Sequence, residues 1–346
     1  MSKRGSGFYV CDIGELYNLS QYAVQDEWKD DRAYTGRTSG YQYAGHDESI
    51  GDREEDAESS GNQYTLQDEW KGNGAQIRGE SGYLAEHRKW KYNFLPGQIE
   101  SSGFPYNAWR KSAKEALLEL ETRGELLSAG HPQGEYELRR AIAAYLYRAR
   151  GVRCMPEQMI IGAGNEYLLQ LLGQILGGPR CVAMESPTYL QAYHTFCNIG
   201  YEVSAVPMDL NGMRVEKIPK DGVTLAYVMP SHQFPLGCVM PLGRRMQLLA
   251  WAEGRGDCYI IEDDHDSEFR YKGRPIPSLQ GIAHMDRVIY LGTFSNSIMP
   301  SIRISYMVLP PQLVKVYHRK CGFYASTVSR IQQMSVCRFI EAGCFE

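Results

Sequence analysis

From about residue 92 onward, short apolar runs alternate with stretches whose apolar residues recur at helical spacing. The apolar runs at 158–162 (QMIIG), 180–184 (RCVAM), 202–206 (EVSAV), 223–229 (VTLAYVM), 257–262 (DCYIIE), 287–291 (RVIYL) and 303–309 (RISYMVL) are read as strands. Most are continuous rather than alternating, which marks strands covered on both faces. Helices are expected over 109–123, 135–150, 166–176, 190–200 and 242–254; in 135–150, Leu138, Ile142 and Tyr145/Leu146 share one face with arginines around them. Strand–helix alternation of this kind predicts an α/β fold with a mostly parallel sheet of about seven strands flanked by helices. Ligands of such sheets bind outside the carboxyl ends of the strands.

Residues 1–90 break the pattern. Aliphatic residues are sparse there, and Gly, Ser, Tyr and acids are plentiful, as in 45–61 (GHDESIGDREEDAESSG). So little apolar surface predicts a disordered or loosely attached segment. QYAVQDEWK at 21–29 recurs as QYTLQDEWK at 63–71. Two copies are too few for a solenoid; each is either a docking turn with an aromatic anchor or the product of a duplication in a tolerant tail.

Charge sharpens this division. The first 90 residues hold 17 Asp and Glu against 10 Lys and Arg, leaving 24 against 27 for the rest of the chain. The net charge of −4 gives no global attraction to nucleic acid. The nine cysteines are odd in number and never spaced C-x-x-C, as in reduced thiols rather than a disulfide framework or zinc site. No apolar leader or membrane-length run is present, so a cytoplasmic protein is expected.

Candidate chemistry gathers where strands end. Gly162-Ala163-Gly164-Asn165 opens a helix with small residues that let an anion reach free N–H groups. Glu185-Ser186-Pro187-Thr188-Tyr189 puts a ring at the sheet edge, either a core tyrosine or a plate for a flat ligand. The turn 230–237 carries His232 and Gln233, able to bond a phenolate or carboxylate. Residues 259–268 (YIIEDDHDSE) cluster five acids past a buried strand. Metal binding is the rival reading, but no His/Cys partners stand at ligand spacing, so no metal is expected. One acid, Asp263, is expected inward against a cation or protonated ring nitrogen, with the rest solvated. Gly292-Thr293-Phe294-Ser295 followed by Arg303 offers hydroxyls, N–H groups and a cation to an oxyanion such as phosphate.

Seven collinear stretches carry a resemblance: FLPGQIESSGFPYNAWRK, HPQGEYELRRAIAAYL, GAGNEYLLQLL, ESPTYL, MPSHQFPLG, IIEDDHDSEFRY and LGTFSNSIMPSIRISYMV. Together they resemble the aminotransferase-like domain of the MocR/GabR group, within the class I/II (fold-type I) pyridoxal-phosphate family. The resemblance implies pyridoxal 5'-phosphate as cofactor, an amino acid or amine as ligand, and a homodimer. It implies that Asp263 pairs with the pyridine nitrogen and Tyr189 stacks on the ring. Ala163, Gly164, Thr293, Ser295 and Arg303 would hold the phosphate, and Asn165 and Gln233 would also belong to the cofactor-binding set. His265 stands where the family usually has a tyrosine near the ring hydroxyl.

Three departures qualify these implications. The family's G-T-F-S-K motif ends here in Asn296, and an asparagine amide neither forms the Schiff base of that lysine nor acts as a general base at neutral pH. The cofactor is therefore expected to be held without a covalent bond. The winged-helix DNA-binding pattern of the group is not found in 1–90, so direct DNA binding is not expected. The sequence stops where the family continues into its small domain, so residues 91–346 are expected to form an aminotransferase-like domain with that small domain incomplete. Three readings stay open: an impaired aminotransferase, a non-catalytic sensor of the cofactor or its amine adducts, and a remnant without ligand function.

Overall fold

Continuous apolar runs become strands whose successive side chains enter different cores. The computed structural model describes residues 103–269, 277–284 and 286–345, so segment 1–90 with its QDEWK pair lies outside the described residues. All described residues belong to one of the chain's two compact units, and the other, Trp28–Phe94, lies outside them.

Eight strands are found among the described residues: β1 Met159–Gly162, β2 Cys181–Ser186, β3 Glu202–Asp209, β4 Gly212–Met213, β5 Val223–Val228, β6 Tyr259–Asp263, β7 Val288–Thr293 and β8 Ser305–Val308. They form one sheet in the order β1-β8-β7-β6-β5-β2-β3-β4. The central run β3-β2-β5-β6-β7 is parallel. Strand β8 lies antiparallel between β7 and β1, so β1 points the same way as the parallel set. The seven anticipated strands are all present; β4 is an addition, two residues long and antiparallel to β3.

The helices are α1 Tyr106–Thr122, α2 Tyr136–Arg150, α3 Asn165–Leu176, α4 Leu190–Asn198, α5 Leu242–Glu253, α6 Leu279–Ile282, α7 Pro311–Lys320 and α8 Arg330–Glu341. The five expected helices correspond to α1–α5, while α6–α8 were not anticipated. Among the described residues no helix is long and apolar enough to cross a membrane.

The period of two along each strand sorts side chains between the two faces. Leu225 and Tyr227 of β5, Ile261 of β6, Ile289 and Leu291 of β7 and Met307 of β8 join Leu168, Leu172 and Phe196 from α3 and α4 in one core. Their neighbours Ala226, Val228, Ile260 and Val288 pack with Leu248 and Leu249 of α5 on the opposite face. Tyr290, Tyr306 and Val308 pack there with Ile142 and Leu146 of α2 and with Val336 and Phe339 of α8. Helix α8 is fixed to α1 by Arg338, whose Nε donates to Glu119 at 2.7 Å, and by Trp109 against Phe339 at 5.7 Å between ring centroids.

This alternation decides the fate of the acids after β6. Asp263 has the parity of Ile261 and faces Tyr227, whereas Glu262 and Asp264 turn to the other face. The expectation of one inward acid with the others solvated is corrected: Glu262, Asp263 and Asp264 are all buried. Glu262 accepts the Leu279 and Gln280 backbone N–H groups at 2.7 and 2.9 Å, and burial pushes it up to about 7. Asp264 receives Nε of Arg150 at 2.7 Å, Nη2 of Arg150 at 2.9 Å and the Tyr290 hydroxyl at 2.5 Å, together with the Ser231 hydroxyl. Burial acts to raise Asp264, but the Arg150 guanidinium outweighs it and holds the carboxyl below its ordinary range. A second cation on this face is held by backbone: Arg245 donates to the carbonyls of Met240, Pro230 and Pro277.

Candidate functional site

Strands β1, β2, β5, β6 and β7 end at a common edge, and β8 begins there with Ser305 opposite Thr293. A cleft of about 760 Å³ opens at this edge. Asn165, Tyr189, Asp263, His265, Thr293, Ser295, Asn296 and Arg303 line it, residues that are scattered over 139 positions of sequence and brought together by the parallel crossovers. Glu166, Phe234, Asp266 and Ser305 line it as well and were not singled out from the sequence.

Asp263 closes β6 and is 4% exposed. The Tyr227 hydroxyl donates to its Oδ2 at 2.5 Å, and Asn165 Nδ2 lies 3.3 Å from Oδ1. Burial raises the affinity of this carboxyl for a proton, while Tyr227 and then His265 oppose the rise. A buried carboxylate with two neutral donors is still short of a cation, and a protonated ring nitrogen would supply one. Tyr189 stands at the mouth of the cleft, edge-on to Phe234 at 6.0 Å, and burial pushes its hydroxyl up to about 12.

The other end of the cleft is polar and basic. Ser295 N–H donates to Thr293 Oγ1 at 3.1 Å, and the Ser305 hydroxyl donates to the same oxygen at 2.9 Å. Arg303 sits in the left-handed region at φ 49° and donates Nη2 to Glu166 at 3.0 Å, with 53% of its side chain exposed. Gly164 precedes α3 at φ 108°, and a Cβ there would lie 2.3 Å from Arg303 Nη2. Glycine therefore allows both the backbone turn and the close approach of the guanidinium. A twelve-residue helix starts at this point with its N–H groups directed at the cleft edge.

Three expected residues do not line the cleft. Ala163 packs against the α2 and α8 core, and its N–H donates to Thr327 Oγ1 at 3.1 Å. Gly164 contributes backbone beside Arg303. Gln233 turns away: Nε2 donates to the Pro187 and Phe234 carbonyls at 2.9 and 2.8 Å, and Oε1 accepts from Leu236 N–H at 3.0 Å. Its amide braces the turn, a use that residue type alone did not distinguish from ligand contact.

Asn296 follows Ser295 on the loop after β7. Its Nδ2 donates to Asp266 Oδ1 at 2.8 Å and lies 3.2 Å from His265 Nε2. The cleft also holds buried polar atoms without a hydrogen-bond partner among the described residues: Asn165 Oδ1, Ser295 Oγ and His265 Nδ1. Buried orphans of this kind are the groups a polar ligand would satisfy. An anion end formed by Arg303, Ser295 and the α3 N-terminus, opposite a buried carboxylate, fits a phosphorylated pyridine.

A parallel α/β sheet with such a cleft at its carboxyl edge defines the class, and sequence comparison specifies it. The family model for aminotransferase class I and II matches residues 93–336, and the chain belongs to that family. It is 47% identical over 259 residues to the HTH-type transcriptional regulator YdeL of Bacillus subtilis strain 168, spanning 75% of this chain and 55% of that protein. It is 37% identical over 256 residues to the probable rhizopine catabolism regulatory protein MocR of Rhizobium meliloti, covering 73% and 51%. The chain thus spans about half the length of these relatives. Among solved structures it resembles LysN, the α-aminoadipate aminotransferase of Thermus thermophilus complexed with N-(5'-phosphopyridoxyl)-L-leucine. The TM-score is 0.63 at 29% identity, over 72% of this chain and 64% of that one.

Proposed function

We propose that this domain binds pyridoxal 5'-phosphate or its amine derivatives without a covalent bond and acts as an amine-sensing module rather than an efficient aminotransferase. The observation that carries the reading is Asn296. It lines the cleft where the resemblance puts the family's lysine, and no lysine is among the described residues lining that cleft.

When bound, the cofactor supplies an electron-withdrawing ring that stabilises negative charge on an amino-acid carbon. Asp263 would hold the proton on the ring nitrogen, and Tyr227 and Asn165 keep its carboxylate in place. Tyr189 would cover one ring face. Arg303, Thr293, Ser295 and the backbone at Gly164 and Asn165 would take the phosphate. His265 would stand near the ring hydroxyl. Moving a proton to or from the substrate carbon needs a base, and an amide is not one at neutral pH. Binding is therefore retained where turnover is lost.

The regulators among its relatives support a place in transcriptional control, with this domain reading a small amine or amino acid and DNA contact made elsewhere. We further propose that it works as a homodimer in the cytoplasm. The test compares wild type with Asn296→Lys for cofactor retention on dialysis and for amino-group transfer. Wild type should release cofactor on dialysis and turn over on the order of a thousandfold more slowly than the variant. Equal turnover by the two proteins would sink the reading.

A further inference from the structure

Asp266 occupies an unusual backbone conformation inside the cleft. Its φ of 54° lies in the left-handed region, which a non-glycine side chain adopts at a cost of about 1 kcal/mol. That conformation directs a carboxylate to the end of the Asn296 side chain, 2.8 Å from Nδ2. Among the described residues, His265 brings Nε2 to 3.7 Å from the same oxygen.

The charges lining the cleft are unbalanced. Among the described residues lining it, Glu166, Asp263 and Asp266 face one arginine, Arg303, which pairs with Glu166. Asp263 would be matched by a ring nitrogen that carries a proton. Among the described residues Asp266 has no Lys or Arg partner, at the position where a covalent lysine would otherwise meet the cofactor's reactive carbon. An aldehyde at that carbon forms no covalent bond with Asn296 and brings no positive charge to Asp266. A primary ammonium on the same carbon donates to Asp266 Oδ and to Asn296 Oδ1 and neutralises the carboxylate.

We propose that the site selects the amine form of the cofactor, pyridoxamine 5'-phosphate, over the aldehyde, with Asp266 as the residue that recognises the ammonium. The inference rests on the cofactor-site reading given above and deepens it by naming the preferred ligand form.

The test is a calorimetric titration of the full chain with three phosphorylated pyridines: pyridoxamine phosphate, pyridoxine phosphate and pyridoxal phosphate. Pyridoxine phosphate bears a neutral hydroxyl where the amine stands and cannot react with surface lysines, so it isolates the charge. The expected result is at least about tenfold tighter binding of the amine than of pyridoxine phosphate, the scale of one charge-assisted hydrogen bond. Asp266→Asn tolerates the same backbone conformation and should shrink that ratio to about threefold or less while pyridoxine phosphate still binds. Arg303→Ala should weaken all three ligands alike. Equal affinities in wild type, or a preference that survives Asp266→Asn, would overturn the inference and leave the site reading intact. Failure of all three ligands to bind would remove both.

Discussion

Single carboxyl groups at the end of β6 are set to different tasks by which side of the sheet they face. Asp264 is neutralised by Arg150 out of contact with water, so removing the cation leaves a buried charge uncompensated. Arg150→Met should cost about 3–5 kcal/mol in urea unfolding; a loss below about 1 kcal/mol would show that the pair contributes little. Glu185 on β2 is nearly inaccessible, with Oε2 3.4 Å from the Met229 N–H, and burial pushes it up to about 8. Its folded affinity for a proton exceeds the unfolded one, so the unfolded chain binds fewer protons above its ordinary value of 4.5. Stability should therefore fall as pH rises between 4.5 and about 8. Glu185→Gln, which cannot ionise, should flatten that slope in thermal melts at pH 5.5 and 8. An unchanged slope would mean that Glu185 is ionised in the folded protein.

At the same scale, the legible and illegible parts of the site can be separated physically. The places of Asp263, Thr293 and Arg303 at the cleft were legible because each lies at a strand end beside a run too apolar to be anywhere but the core. That of Asp266 was not, because it depends on a left-handed backbone that no residue-type pattern announces. The orientation of Gln233 was not legible either, because an amide serves a turn or a ligand equally well, and its three backbone partners turn it to the loop.

At the scale of elements, the continuous runs marked seven strands because a strand buried on both faces has no polar positions to interrupt it. Strand β4 was too short to show any period, and α6 is a single turn held by Glu262. Helices α7 and α8 do carry apolar positions at helical spacing, Leu313 with Tyr317 and Val336 with Phe339 and Ile340. The antiparallel β7–β8 pair sets Thr293 opposite Ser305 at one end of the cleft, and its packing is tight at Gly292, where a Cβ would lie 2.4 Å from the Tyr306 ring. Tyr306 is fully enclosed and cannot move aside. Gly292→Ala should thus destabilise by about 1–3 kcal/mol in denaturant unfolding and shift Thr293 relative to Ser305. Gly164→Ala should act at two levels: at φ 108° a Cβ strains the backbone, and it also meets the flexible end of Arg303, so phosphate binding should fall together with stability. Unchanged phosphate binding in a stably folded Gly164→Ala protein would contradict this.

For the whole molecule, the sheet separates two kinds of polar chemistry. The face bearing Glu262, Asp264, Arg150 and Arg245 is closed and fully committed to internal partners, while the edge bearing Asp263, Asn296 and Arg303 is open and has unmet hydrogen-bonding capacity. With Asn296 at the position of the family's lysine, as we propose, such a cleft would hold a ligand and be poorly equipped to transform it. The most direct test is mass spectrometry after borohydride treatment of wild type and Asn296→Lys, each mixed with pyridoxal phosphate and digested. The expected result is a phosphopyridoxyl adduct on the peptide spanning 288–303 in the variant and none on that peptide in wild type, with both proteins binding the cofactor before reduction. A variant that binds cofactor but carries no adduct at position 296 would place the cofactor's reactive carbon elsewhere and contradict the site.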